Sequence, residues 1–70
     1  MIVSVFKTSI EDQHLEKVAT ILNNINRITK WNTDLEDCDN ILRIESNENL
    51  TKGIIKKLVQ DGFKIEELQD

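Results

Sequence analysis

The chain has 70 residues, 39% hydrophobic and 31% charged, which supplies one small core and excludes a disordered coil. Thirteen acids against nine bases leave a net charge of −4, so no nucleic-acid partner is expected, and the one dense basic cluster, Lys52, Lys56 and Lys57, decorates a predicted helix face. The single cysteine, Cys38, excludes an internal disulfide and fits a reducing compartment; residues 1–7 are too short for a signal peptide and no run approaches the ~20 apolar residues of a membrane span, so the expected location is the cytoplasm.

Met1 to Thr8 alternates and is rich in β-formers, with Val3 and Val5 on one side and Ile2, Ser4 and Phe6 on the other. Apolar residues on both sides predict a central strand. Ser9 is the predicted N-cap of a first helix, with Asp12 reaching back in a shortened capping box and Glu11 and Asp12 against the positive end of the helix dipole. That helix is predicted over 10–24. Leu15, Val18, Ile21, Leu22 and Ile25 form its apolar stripe, and Asn23, Asn24 and Asn26 end it because asparagine tolerates left-handed backbone. A second strand is predicted over 28–35, with Thr29, Trp31 and Thr33 toward the helices and Lys30 and Asn32 outward. Glu36 to Asn40 is a polar turn. A third strand follows over 41–45, with Leu42 and Ile44 inward and Arg43 outward. Asn49 caps a second helix, roughly 50–60, that buries Leu50, Ile54, Ile55 and Leu58. Gly53 inside it costs about 1 kcal/mol relative to alanine and is expected to mark a close helix–sheet contact. Asp61-Gly62 stops the helix, and Phe63, Ile65 and Leu68 belong to a short last strand.

Two interleaved right-handed strand–helix–strand crossovers predict an α+β, ferredoxin-like βαββαβ sandwich: a four-stranded antiparallel sheet with both helices on one face. The other face is expected to be open and mostly polar (Ser4, Lys30, Asn32, Arg43, Glu45, Lys64, Glu66). Ile2, Phe6 and Ile41 are its apolar exceptions, a strip through which a monomer would form a weak homodimer.

Thr33-Asp34-Leu35 through Ile44-Glu45-Ser46, then Lys56-Lys57-Leu58 and Gly62-Phe63, with Phe6-Lys7-Thr8 and Lys30-Trp31-Asn32, resembles heavy-metal-associated domains. These copper-chaperone-like domains share the ferredoxin-like fold, and the likeness is to small bacterial members. It covers nearly the whole chain at scaffold positions. The resemblance places a Cys-x-x-Cys pair in the first strand–helix loop, and this chain has Thr8-Ser9-Ile10-Glu11-Asp12-Gln13-His14-Leu15 there. Counting back from Val18 puts His14 at the second cysteine position and Glu11 at the first; counting forward from Phe6-Lys7-Thr8 puts Asp12 at the first instead. Without either thiol a two-coordinate Cu(I) site is not expected, and carboxylate and imidazole suit harder or borderline divalent ions.

The topology brings the first strand–helix loop, the Glu36–Asn40 turn and the Gly62-Phe63 turn to one pole. Glu11, Asp12, His14 and Cys38 are therefore the candidate ligands of a weakly bound divalent metal ion, set against helix-start acids, an exposed histidine and an inert turn cysteine. Asp34 and Glu45 bracket a twelve-residue loop, but its sixth position is Asp39 rather than glycine and strands flank it, which excludes an EF-hand. The acids Glu11, Asp12, Asp34, Glu36, Asp37, Asp39 and Asp61 predict an acidic end that steers toward a protein partner with a basic surface. No nucleophile–base pair or phosphate-binding glycine loop is present, so no enzyme is expected; the third strand lacks the aromatics of open-sheet RNA binders. The expected role is a protein-interaction module, with metal carriage as the alternative.

Overall fold

The computed structural model describes residues 1–36 and 38–68. Strand β1 (Ile2–Thr8) leads through a 3₁₀ turn (Asp12–His14) into helix α1 (Leu15–Asn23). Strands β2 (Ile28–Asp34) and β3 (Ile41–Ser46) follow, then helix α2 (Thr51–Gln60) and strand β4 (Ile65–Leu68). The result is a small α+β domain with one four-stranded antiparallel sheet in the order β2-β3-β1-β4. No helix among the described residues is long and apolar enough to cross a membrane.

The core forms between one sheet face and both helices. Phe6 pairs with Leu42 and Ser4 with Ile44 across β1 and β3, so these side chains share a face. Phe6, Leu42 and Ile44 cluster there with Val18, Ile21 and Leu22 of α1, Ile54 and Leu58 of α2, and Phe63. This reverses the sequence expectation for β1. Phe6 is 0% exposed and Ser4 6%, whereas Val3 is 51% exposed. β1 alternates as expected, with its two faces exchanged: Phe6 has the most apolar area to remove from water, and its burial carries Ser4 inward with it. The open face therefore carries Val3, Val5 and Lys7, with Leu68 beside Val5 and Glu66 beside Lys7.

Among the described residues, three polar ones are buried between sheet and helices: Ser4 of β1, Ser46 of β3 and Thr51 of α2. The Thr51 hydroxyl donates to Glu67 Oε2 at 3.2 Å, and it stands 3.3 Å from Ser4 Oγ, which donates in turn. Ser46 Oγ donates to the Glu48 carbonyl at 2.6 Å. Each buried hydroxyl is satisfied, and the Ser4–Thr51–Glu67 chain ties β1, α2 and β4 together.

Four local expectations change. Ser9 is not a helix cap: its N–H donates to the Lys64 carbonyl (3.0 Å) and its Oγ accepts from the Lys64 N–H (2.9 Å), extending the β1–β4 pairing. Ile10, fully buried, belongs to the loop and plugs the core before α1 starts. The end of α1 is right-handed at Asn24 (φ −83°), and the left-handed asparagine is Asn40 (φ 47°). An irregularity between Ile28 and Lys30 takes Thr29 out of alternation; it is exposed, and its hydroxyl donates to the Glu45 carbonyl at 2.9 Å.

The end of α2 is a Schellman turn. Phe63 N–H donates to the Leu58 carbonyl and Gly62 N–H to the Val59 carbonyl, both at 3.0 Å, with Gly62 at φ 92°. Gly53, by contrast, makes no close helix–sheet contact: it is exposed, and an added Cβ would meet nothing within 4 Å. Gly53→Ala is therefore expected to raise stability by about 0.5–1 kcal/mol, read as a higher urea midpoint at unchanged slope.

Candidate functional site

One end of the molecule gathers the β1–α1 loop, the β2–β3 turn and the α2–β4 turn. Asn40 joins the first two. Its left-handed backbone turns the chain into β3 while its Nδ2 donates to the Ile10 carbonyl at 2.7 Å. Thr8 completes the junction: its Oγ1 donates to the Asn40 carbonyl (2.6 Å) and accepts from the Ile10 N–H (3.1 Å), and its own N–H donates to the Asp39 carbonyl (3.1 Å). A shallow depression lies along this seam, lined by Glu11, Asp12, Gln13, Leu35 and Asn40. Glu11, Asp12 and Glu36 are exposed. Lys7 stands 3.5 Å from Asp39. Asp37 lies outside the described residues.

His14 has a structural task. Its Nδ1 accepts the Glu11 N–H at 3.0 Å, while its own N–H donates to the Glu11 carbonyl at 2.8 Å. The first bond is the return half of a capping box, with an imidazole where glutamate or glutamine usually stands. The Nδ1 lone pair is committed to it, and Nε2 is the ring nitrogen left for another partner, 3.5 Å from Gln13 Nε2. The ring meets Phe63 edge-on, centroids 5.2 Å apart at 79°, and the Lys17 ammonium sits 5.7 Å from the Phe63 centroid. His14→Ala is expected to cost about 0.5–1.5 kcal/mol, and His14→Gln to recover at least half, since glutamine also serves at that capping position. Paired urea denaturation curves test this.

The four candidate ligands thus divide. Glu11 and Asp12 line the depression, His14 turns toward Phe63, and Cys38 is an exposed free thiol on the turn outside the lining. Among the described residues, no three His, Cys, Asp or Glu side chains stand together as a metal-holding group. The sequence reading missed Asn40, whose signal was an asparagine at the last turn position before a strand. It also missed the Ser4–Thr51–Glu67 chain, since three polar residues far apart in sequence carry no shared local pattern. Comparisons of the chain with models of protein families, with characterised proteins and with solved structures find no match.

Proposed function

We propose that this chain is a non-enzymatic, cytoplasmic domain of the heavy-metal-associated type that has lost its thiol metal site and works as a protein-interaction module, docking a basic partner through its acidic loop end. The sheet order β2-β3-β1-β4, with a helix in each strand–helix–strand crossover, supports the ferredoxin-like part of this reading. The observation that carries the interaction role is the Asn40 seam: it holds Glu11 and Asp12 beside Leu35 and Asn40 of the β2–β3 connection, with Lys7 paired to Asp39. Like charges carried on one backbone platform present a field before contact.

The test is a proton–nitrogen NMR titration of the reduced chain at about 150 mM salt, where unspecific surface attraction is screened beyond roughly 8 Å. A lysine- and arginine-rich peptide is expected to give saturable shifts at Glu11, Asp12 and Glu36, an acidic peptide of equal length none, and Glu11→Lys/Asp12→Lys is expected to abolish the response. Equal response to both peptides, or to neither, overturns the reading. Saturable shifts at His14, Glu11, Asp12 and Cys38 with micromolar Zn(II) or Ni(II) replace it with metal carriage.

A further inference from the structure

The two edges of the sheet, β2 and β4, are guarded very differently. An edge strand presents unpaired N–H and C=O groups, and natural sheets block them by shortness, charge or proline. β4 is four residues long and carries Glu66 and Glu67. Pairing β4 antiparallel with its own copy, centred on either glutamate, sets like charges opposite each other. β2 is seven residues long and contains no proline. Its irregularity is confined to the Ile28–Lys30 end, and Lys30 to Asp34 pair regularly with β3.

Those five residues read as a self-complementary word. Trp31 and Thr33 lie on the helix side, opposite Ile44 and Leu42 of β3; Lys30, Asn32 and Asp34 lie on the open side, opposite Glu45, Arg43 and Ile41. Pair β2 antiparallel with a second copy, centred on Asn32, and Lys30 stands opposite Asp34 of the copy, twice over. On the helix side Trp31 stands opposite Thr33 of the copy, again twice. Opposite charges and aromatic–β-branched pairs are both favourable cross-strand neighbours. Centring on Trp31 puts Lys30 opposite asparagine and Ile28 opposite Asp34. Centring on Thr33 sends Lys30 beyond the copy's strand. One register alone within the strand matches both faces.

The helix side of the same edge offers room. A groove lined by Leu22, Asn23, Ile25, Ile28 and Trp31 runs beside β2. Trp31 is half-buried, and its indole N–H donates to Asn23 Oδ1 at 3.2 Å, which holds the ring in place along the groove.

From this complementarity we propose that the chain forms a two-fold dimer through antiparallel pairing of β2 with β2 of a second copy, centred on Asn32. The two sheets become one of eight strands, and the contact is isologous, so it closes at two copies. The inference stands apart from the docking of a basic partner, which uses the loop end and not this edge.

Sedimentation equilibrium of the full chain between 10 µM and 1 mM, roughly the range of weak to moderate association, is expected to show a monomer–dimer equilibrium. Lys30→Glu and Asp34→Lys are each expected to raise the dissociation constant at least tenfold. An equimolar mixture of the two variants is expected to dimerise again, because each mixed pair brings opposite charges together. A wild-type monomer throughout, variants that associate like wild type, a mixture that stays monomeric, or growth past the dimer overturns the proposal. Should either charge variant fail to fold, Asn32→Cys in a Cys38→Ser background decides. Directly opposed residues of an antiparallel pair have Cα atoms about 4.5–5.5 Å apart, within disulfide range. That variant is expected to form a disulfide-linked dimer at least ten times faster than Val59→Cys in the same background; equal rates overturn the proposal.

Discussion

Replacing Phe6 by alanine is expected to unfold the domain or to lower its urea midpoint by about a third or more. Phe6 is fully buried at the centre of the sheet, paired with Leu42 on one side and Glu67 on the other. Truncating a buried phenylalanine costs about 3–5 kcal/mol, from lost transfer free energy and the cavity left behind. A domain of this length has a total stability of about 4–10 kcal/mol. One substitution therefore removes a third or more of the margin. Val3→Lys on the opposite side of the same strand is expected to change stability by less than about 0.5 kcal/mol, as for other open surface positions. The pair is a direct test of which way β1 faces: a tolerated Phe6→Ala with a damaging Val3→Lys would put Phe6 back on the open side.

Asn40→Ala is expected to cost about 2–5 kcal/mol. Two terms add. Alanine in the left-handed region costs about 1–2 kcal/mol. The Ile10 carbonyl loses its 2.7 Å donor, for about 1–3 kcal/mol. Asn40→Gly separates them: it removes the backbone strain but does not restore the hydrogen bond, so it is expected to recover about 1 kcal/mol. Asn40→Asp sets an acceptor against an acceptor and is expected to do no better than alanine. Urea denaturation reads the energies. Amide shifts of Glu11 and Asp12 in the same variants report whether the two loops still share one surface.

The fold was legible where a pattern repeats. The stripe Val18-Ile21-Leu22 of α1, the inward pair Leu42 and Ile44 of β3, and the glycine stop at Gly62 all appear as read. Periodicity tells which residues share a face but not which face is buried, and β1 shows the gap: both of its sides are partly apolar, and only the packing of Phe6 against the helices decides. The asparagines show another limit. Asn23, Asn24, Asn26, Asn40, Asn47 and Asn49 all sit near turns, and the left-handed one is the residue whose side chain reaches Ile10, thirty positions away. Ser9 and His14 exchanged roles for a similar reason. A serine before a helix reads as a cap, but here the Lys64 backbone claims it, and the cap moves on to Glu11 and His14. At the candidate site the resemblance singles out Glu11, Asp12 and His14, and the topology adds Cys38. Which of them turn toward one another is set by Phe63 and Asn40, contacts distant along the chain.

The position of β1 bears on how the chain is made as well as on how it stands. β1 is an inner strand, flanked by β3 and β4. Synthesis runs from the N-terminus, so the first strand to emerge is one of the last to have both of its neighbours. Until residues 65–68 are available, a nascent chain can assemble β1, β2 and β3 but leaves one backbone edge of β1 open, with Val5 and Phe6 unpaired on that side. Ribosome-bound intermediates of this domain should thus carry a sticky edge that the finished protein hides, and molecular chaperones that recognise extended apolar segments would meet it there.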